Sequence, residues 1–171
     1  ADTDGTTTLK VIGADTFHAS GAITANVIDF SGMDAAPGTA TTANMGAAAV
    51  GVTSITGSPG IDTLVGDAAS TIEGGAGDDS ITGGAGNDTL HGDAGADTIT
   101  TGAGSDTVKG GTGNDTIVAA GKLSAADALV GKDGKDTLSV TNGSLTAMQA
   151  LRISEANSFY SSFTSVEGIL V

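Results

Sequence analysis

Five consecutive copies of a nine-residue unit begin with Gly74-Gly75-Ala76-Gly77-Asp78-Asp79-Ser80-Ile81-Thr82 and run without insertion to Val118. Each copy follows the pattern GGxGxDxUx, in which U is a large aliphatic residue. The repeat extends in both directions, with an upstream copy at 57–65, a degenerate copy at 66–73, a twelve-residue stretch at 119–130 and a final copy at 131–139. Such a repeat is typical of solenoids, in which each unit is stable only against its neighbours.

The repeat predicts an all-β chain that coils as a parallel β-roll. Only positions seven to nine of each copy favour a strand, and a Gly-rich turn separates each strand from the next. Two copies would form one flattened coil, so alternate copies stack at the strand spacing of about 4.8 Å. Because side chains alternate along a strand, position eight points inward and builds a ladder from Leu64, Ile72, Ile81, Leu90, Ile99, Val108, Ile117, Leu129 and Leu138.

The same stacking brings together the aspartates at position six. One side of the roll would align Asp62, Asp79, Asp97, Asp115 and Asp136, and the other side Asp88, Asp106 and Asp127. Carboxylates at this spacing repel by about one to a few kcal/mol per neighbour, so the stacks need counter-ions. Turn glycines with positive φ can aim carbonyls at the same points. An all-oxygen site suits Ca²⁺, and we expect about six calcium ions, one for each same-side pair of aspartates.

The nonapeptide resembles that of the RTX family of calcium-binding β-rolls, over residues 57–139. The resemblance implies a bacterial protein that leaves the cell by type I secretion and folds on meeting millimolar calcium outside. The candidate calcium ligands lie at positions one, three and six of the copies: Asp62, Gly74, Ala76, Asp79, Gly83, Ala85, Asp88, Gly92, Ala94, Asp97, Thr101, Ala103, Asp106, Gly110, Thr112, Asp115, Asp127, Gly131, Asp133 and Asp136.

The composition of the chain excludes several classes of binding partner. The 171 residues include 20 acidic and 6 basic ones, for a formal charge of −14. A charge of this sign repels phosphate backbones and anionic lipid surfaces, so we expect no nucleic-acid partner. We also expect no membrane insertion, since no apolar run approaches the ~20 residues that span a bilayer. Without cysteine there is neither a disulfide framework nor a thiolate metal site.

The flanks of the repeat differ from each other. Residues 1–56 carry three β-rich pieces, at 9–12, 27–30 and 50–55, and predict an irregular β-solenoid flank. Ile55 and Ile72 are about one coil apart, so the solenoid should begin before the nonapeptide does. Residues 140–171 predict a C-terminal cap, with a short helix from about Ser144 to Glu155 and a final strand over 165–171. Most aromatic residues lie in this cap, as expected of a segment that closes a solenoid.

No catalytic motif accompanies the repeat. The two histidines, His18 and His91, are far apart in sequence, and neither HExxH nor GxSxG occurs. His91 is at position nine, which predicts an outward-facing surface residue. We therefore expect the chain not to be an enzyme.

Three kinds of non-catalytic function remain. The favoured one is a structural, extracellular protein of the bacterial cell surface, similar to an S-layer segment, that folds and self-associates on calcium. The second is the accessory C-terminal folding and secretion domain of a secreted protease, lipase or toxin. The third is an adhesin or an ice-binding solenoid, but the regular row of turn threonines expected of ice binding is missing, because position three is alanine in four of the five consecutive copies.

Overall fold

The computed structural model describes residues 8–12, 16–18, 25–33, 42–44, 52–120 and 126–140. These residues contain fourteen strands and no helix. The strands are β1 (Thr8–Ile12), β2 (Thr16–His18), β3 (Val27–Gly32), β4 (Thr42–Asn44), β5 (Ser54–Thr56), β6 (Thr63–Val65), β7 (Thr71–Ala76), β8 (Ser80–Thr82), β9 (Thr89–Ala94), β10 (Thr98–Thr100), β11 (Thr107–Thr112), β12 (Thr116–Ala119), β13 (Ala128–Asp133) and β14 (Thr137–Val140).

The strands form a parallel β-solenoid, as the repeat predicts. Odd-numbered strands make one seven-stranded sheet in the order β1-β3-β5-β7-β9-β11-β13, and β14-β12-β10-β8-β6 make a five-stranded sheet. The short strands β2 and β4 pair with each other. Each coil of the repeat contributes one strand to each of the two larger sheets, so residues about 18 apart stack, as Ile72 does on Leu90 and Ile81 on Ile99.

The core is a single row of aliphatic side chains on each sheet. All nine predicted ladder residues are buried, eight of them completely and Leu138 with 5% exposed. The row continues into the N-terminal flank, where Ile28 stacks on Ile55 and Ile55 on Ile72. The prediction that the solenoid starts before the nonapeptide is therefore confirmed. The seven-stranded sheet joins the strands that precede residue 57 (β1, β3 and β5) to those that follow it (β7, β9, β11 and β13) without a break.

Strand length differs from the sequence expectation on one side of the roll. In the seven-stranded sheet, β7, β9, β11 and β13 each have six residues, because positions two and three keep pairing with an adjacent coil after position nine. The turn that follows each of these strands then relies on glycine at position four. Gly95, after β9, has φ of +138°, and a Cβ there would collide with the carbonyl oxygen of Gly77 one coil earlier.

The outer faces of the two sheets have different chemistry. The outer face of the five-stranded sheet consists only of serine, threonine and valine, which are exposed or half-buried and lie at positions seven and nine of the copies: Thr63, Val65, Ser80, Thr82, Thr98, Thr100, Thr116, Val118, Thr137 and Ser139. The seven-stranded sheet carries charges, including a Lys10–Asp29 ion pair of 2.9 Å on its outer side. The predicted C-terminal helix and final strand lie outside the described residues. Within the described ranges no helix is long and apolar enough to cross a membrane.

Candidate metal centre

The position-six aspartates line the inside of the turns. All eight are buried, with exposed fractions between 0% for Asp115 and 4% for Asp127. They form the two predicted stacks, one for each side of the roll. Buried carboxylates are costly unless they are hydrogen-bonded, protonated or bound to a cation.

One oxygen of each carboxylate joins adjacent coils. The backbone N–H of Asp79 donates to Oδ1 of Asp97 at 2.8 Å, and the N–H of Asp97 donates to Oδ1 of Asp115 at 3.0 Å. The same bond links every successive pair in both stacks, at 2.8 to 3.0 Å. Except in Asp62, each Oδ1 therefore accepts from the coil before it and extends the strand ladder into the turn.

The second oxygen has no such partner in five of the aspartates. Oδ2 is buried and accepts no hydrogen bond in Asp79, Asp88, Asp97, Asp115 and Asp136. An unsatisfied buried polar atom costs about 1–3 kcal/mol, and more when it is charged. These oxygens therefore call for a cation or a proton.

The unpartnered oxygens point toward the first residue of their own copy. A Cβ built on Gly74 would lie 2.6 Å from Oδ2 of Asp79 and 2.6 Å from the carbonyl oxygen of Gly92 in the next coil. We call such a point, where a carboxylate oxygen without a hydrogen-bond donor and a carbonyl oxygen of the next coil converge, a cradle. Gly57 has the same two kinds of oxygen beside it, from Asp62 and Gly74, but Oδ2 of Asp62 accepts hydrogen bonds from Ser58. Three further cradles have the same composition: Gly83 with Asp88 and the carbonyl of Thr101, Gly92 with Asp97 and the carbonyl of Gly110, and Gly110 with Asp115 and the carbonyl of Gly131.

Burial changes the protonation of these groups. Loss of solvent raises the pKa of Asp79 to about 7 and that of Asp97 to about 6, and the neighbouring carboxylates add to the shift. Burial also raises the pKa of Asp88, Asp106 and Asp115. Hydrogen bonds from the backbone of the preceding coil oppose the shift in each case. Near neutral pH the charged stack thus needs a compensating cation.

The predicted position-three oxygens are placed differently from the carboxylates. The carbonyls of Ala94, Ala103, Thr112 and Asp133 each accept a backbone hydrogen bond from the position-four glycine of the preceding coil, at 2.7 to 2.9 Å. The N–H groups of Ala76 and Ala85 donate to position-two carbonyls. The side chain of Asp133 is exposed and lies near His91 and Lys109, on the outside of the seven-stranded sheet. The structure does not bring that carboxylate together with the position-six stack.

Sequence reasoning missed two sets of contacts. Serine hydroxyls bind the first carboxylate of each stack: Ser58 donates to both oxygens of Asp62, and Ser70 donates to Oδ1 of Asp88. A second, exposed ladder runs along position five, where Asp78, Asn87 and Asn114 accept from the backbone N–H of the next coil. The recurrence of Asp and Asn at position five was the available signal for this ladder.

The donors fit calcium. Among the described residues no three His, Asp or Glu side chains come together as a metal-binding cluster, so a cation at a cradle must take backbone oxygens as well as carboxylates. Carboxylate and carbonyl oxygens from two adjacent coils are the hard donors that Ca²⁺ takes in sets of about six to eight. The fold and these turns define a class of protein, the parallel β-solenoid with all-oxygen cation sites between its coils.

The repeat matches a known protein family. The model of the RTX calcium-binding nonapeptide repeat, four copies long, matches residues 56–90, 66–99 and 91–121. This part of the chain is therefore an RTX-type calcium-binding β-roll, of a kind typical of secreted bacterial proteins. A search of curated proteins found no match to the chain.

Proposed function

We propose that this chain is a structural β-roll of a bacterial cell-surface protein, similar to an S-layer segment, which folds and assembles on extracellular calcium. It has no catalytic role in this proposal. The observation that carries it is the set of buried carboxylate oxygens without a hydrogen-bond donor, because these make the closed roll dependent on a cation. The uncharged outer face of the five-stranded sheet supports assembly, since it can approach a second copy without charge repulsion.

Calcium has a direct physical role in this proposal. The carboxylate Oδ2 atoms and the position-one carbonyls that meet at the cradles are the proposed first ligands, and the other candidate oxygens of the turns complete the sphere. Without the ion, each nine-residue copy must bury a charged oxygen and gains only one aliphatic side chain, worth roughly 1.5–3 kcal/mol. Ordering nine backbones costs on the order of 9–18 kcal/mol, so folding and calcium binding should be one event.

Far-UV circular dichroism of the full chain tests calcium-driven folding. We expect little β-structure over the repeat in chelator and strong β-structure in millimolar Ca²⁺. Mg²⁺ should substitute poorly, because it requires a tight octahedron and dehydrates reluctantly. Equal β content in chelator and in calcium would refute the proposal.

The accessory domain of a secreted enzyme is the second candidate, because RTX repeats are a general feature of secreted bacterial proteins. Both candidates require calcium-dependent folding, so circular dichroism cannot separate them. They differ in assembly, since a surface-layer segment must associate once it is folded and an accessory domain need not. Sedimentation in calcium distinguishes the two.

A further inference from the structure

Six same-side pairs of aspartates are available for calcium, but the six are not alike. Four of them correspond to the cradles at Gly74, Gly83, Gly92 and Gly110, where a buried, unpartnered Oδ2 and a carbonyl of the next coil converge. The remaining pairs are Asp62 with Asp79 and Asp106 with Asp127. In both of these, a hydroxyl-bearing side chain changes the chemistry of the turn.

At the first pair the carboxylate is already bound within its own turn. Oδ2 of Asp62 accepts the backbone N–H of Ser58 at 2.6 Å and the Ser58 hydroxyl at 2.9 Å. Oδ1 of Asp62 accepts from the same hydroxyl at 3.1 Å. Ser58 and Asp62 are both at least 98% buried, so these bonds are shielded from water. The negative charge is thereby stabilised without a metal ion.

At the pair of Asp106 and Asp127, a side chain occupies the point that glycine leaves free of side-chain atoms in the four cradles. Position one is glycine in the four cradles but threonine at residue 101, and the Thr101 side chain is buried with 4% exposed. A Cβ built on Gly74 or Gly83 would come within 2.6 Å of the carboxylate oxygen of its copy, a distance that real Cβ atoms do not tolerate. Thr101 carries a real Cβ at the equivalent point, so the Asp106 carboxylate cannot take the position that the carboxylates of the four cradles have. Asp106 also differs from them in having no fully buried side-chain oxygen without a hydrogen-bond partner.

We propose that Ser58 and Thr101 prevent calcium from binding at two of the six same-side pairs of aspartates. The six pairs together then hold four calcium ions. The proposal rests on the proposed calcium-dependent function. Thr101 contributes its carbonyl oxygen to the Gly83 cradle and blocks the neighbouring position with its side chain. One residue thus helps to form one site and excludes the next.

Native mass spectrometry of the folded full chain in calcium counts the bound ions and tests the proposal. Residues beyond 140 lie outside the described part of the chain, and the proposal concerns only the six pairs. The test is therefore the difference in ion count between each variant and the wild type. Thr101→Gly should bind one ion more than the wild type, because glycine lets the Asp106 carboxylate take the position that the carboxylates have in the four cradles. Thr100→Gly is the matched control, since it makes the same chemical change one residue earlier, on the strand, and should leave the count unchanged.

Ser58→Gly tests the second closed position independently. It removes the hydroxyl bonds to Asp62 and introduces the residue that the repeat usually has at position two, so it should also gain one ion. Unchanged counts in both folded variants, or a gain in the Thr100→Gly control equal to that of Thr101→Gly, would overturn the inference. A wild-type chain that binds no calcium would instead overturn the proposed function.

Discussion

Each position-six carboxylate uses its two oxygen atoms differently. Oδ1 accepts a backbone N–H from the preceding coil and so continues the strand ladder through the turn, as in the bond from Asp79 to Asp97. Oδ2 is directed at the cradle and has no donor. Oδ1 thus extends the strand ladder, whereas Oδ2 is the atom that we propose as a calcium ligand. Asparagine could keep the first contact but would lose the charge required for the second.

Protons should partly replace calcium in these turns. Burial raises the pKa of Asp79 to about 7 and of Asp97 to about 6, from 3.8 in the unfolded chain. Because both pKa values are raised on folding, protonation stabilises the roll fully below about pH 4, and this stabilisation is lost as the pH rises through about 6 to 7. In chelator, the β content from circular dichroism should therefore be higher at about pH 5 than at about pH 8.

Asp79→Asn is the control for this pH effect. Asparagine cannot titrate but keeps an oxygen that can accept a hydrogen bond, so the β content of this variant in chelator should depend less on pH than that of the wild type. A β content that rises with pH in chelator would contradict the argument, since it would mean that the folded roll prefers charged carboxylates even without a cation.

At the scale of the coil, neighbouring turns contribute oxygens to the same cradle. The copy that contains Asp97 supplies the Gly92 carbonyl to one cradle and the Asp97 carboxylate to the next. We therefore expect Asp97→Ala to raise the calcium concentration at the folding midpoint more than Asp62→Ala does, because Asp62 lies at the end of its stack and is bound by Ser58. A calcium titration followed by circular dichroism measures both midpoints.

Asp97→Asn separates the ion from the hydrogen bond in this comparison. It retains an acceptor for the N–H of Asp79 but lacks the charge, so its midpoint should lie closer to that of Asp97→Ala than to the wild type. Equal midpoint shifts for Asp97→Ala and Asp62→Ala would argue that the Asp62 position also holds a calcium ion, against the closing role of Ser58.

The period of the sequence was enough to predict the coils, but not the local chemistry of each turn. In a coil of two copies, a residue must stack on the equivalent residue two copies later. The repeat therefore predicts that Ile99 stacks on Ile117 and Asp97 on Asp115, as the structure shows. The division of labour between Oδ1 and Oδ2 depends on where the preceding N–H points, which the pattern does not encode. The closing role of Thr101 was hidden for a similar reason, since threonine is common on the outward positions of the same repeat.

At the scale of the whole molecule, charge is distributed unevenly. The chain has a formal charge of −14, yet the outer face of the five-stranded sheet contains no charged residue. The seven-stranded sheet, by contrast, exposes Glu73 and Lys109. Natural proteins charge exposed sheet surfaces and edges to prevent uncontrolled pairing, so an uncharged face on an acidic molecule favours a contact surface. A second copy of the chain is the occupant that our proposed function requires.

Self-association should accordingly begin only above the calcium level that folds the roll, because calcium both forms the uncharged face and neutralises the carboxylates that keep chains apart. Sedimentation velocity across a calcium titration should show monomers in chelator and larger species in excess calcium. Thr98→Glu places a charge at the centre of the five-stranded face and should reduce association, whereas Thr107→Glu makes the same change at the matching position of the seven-stranded sheet and should not. Folded wild-type protein that stays monomeric at high concentration in excess calcium would favour the accessory-domain function instead.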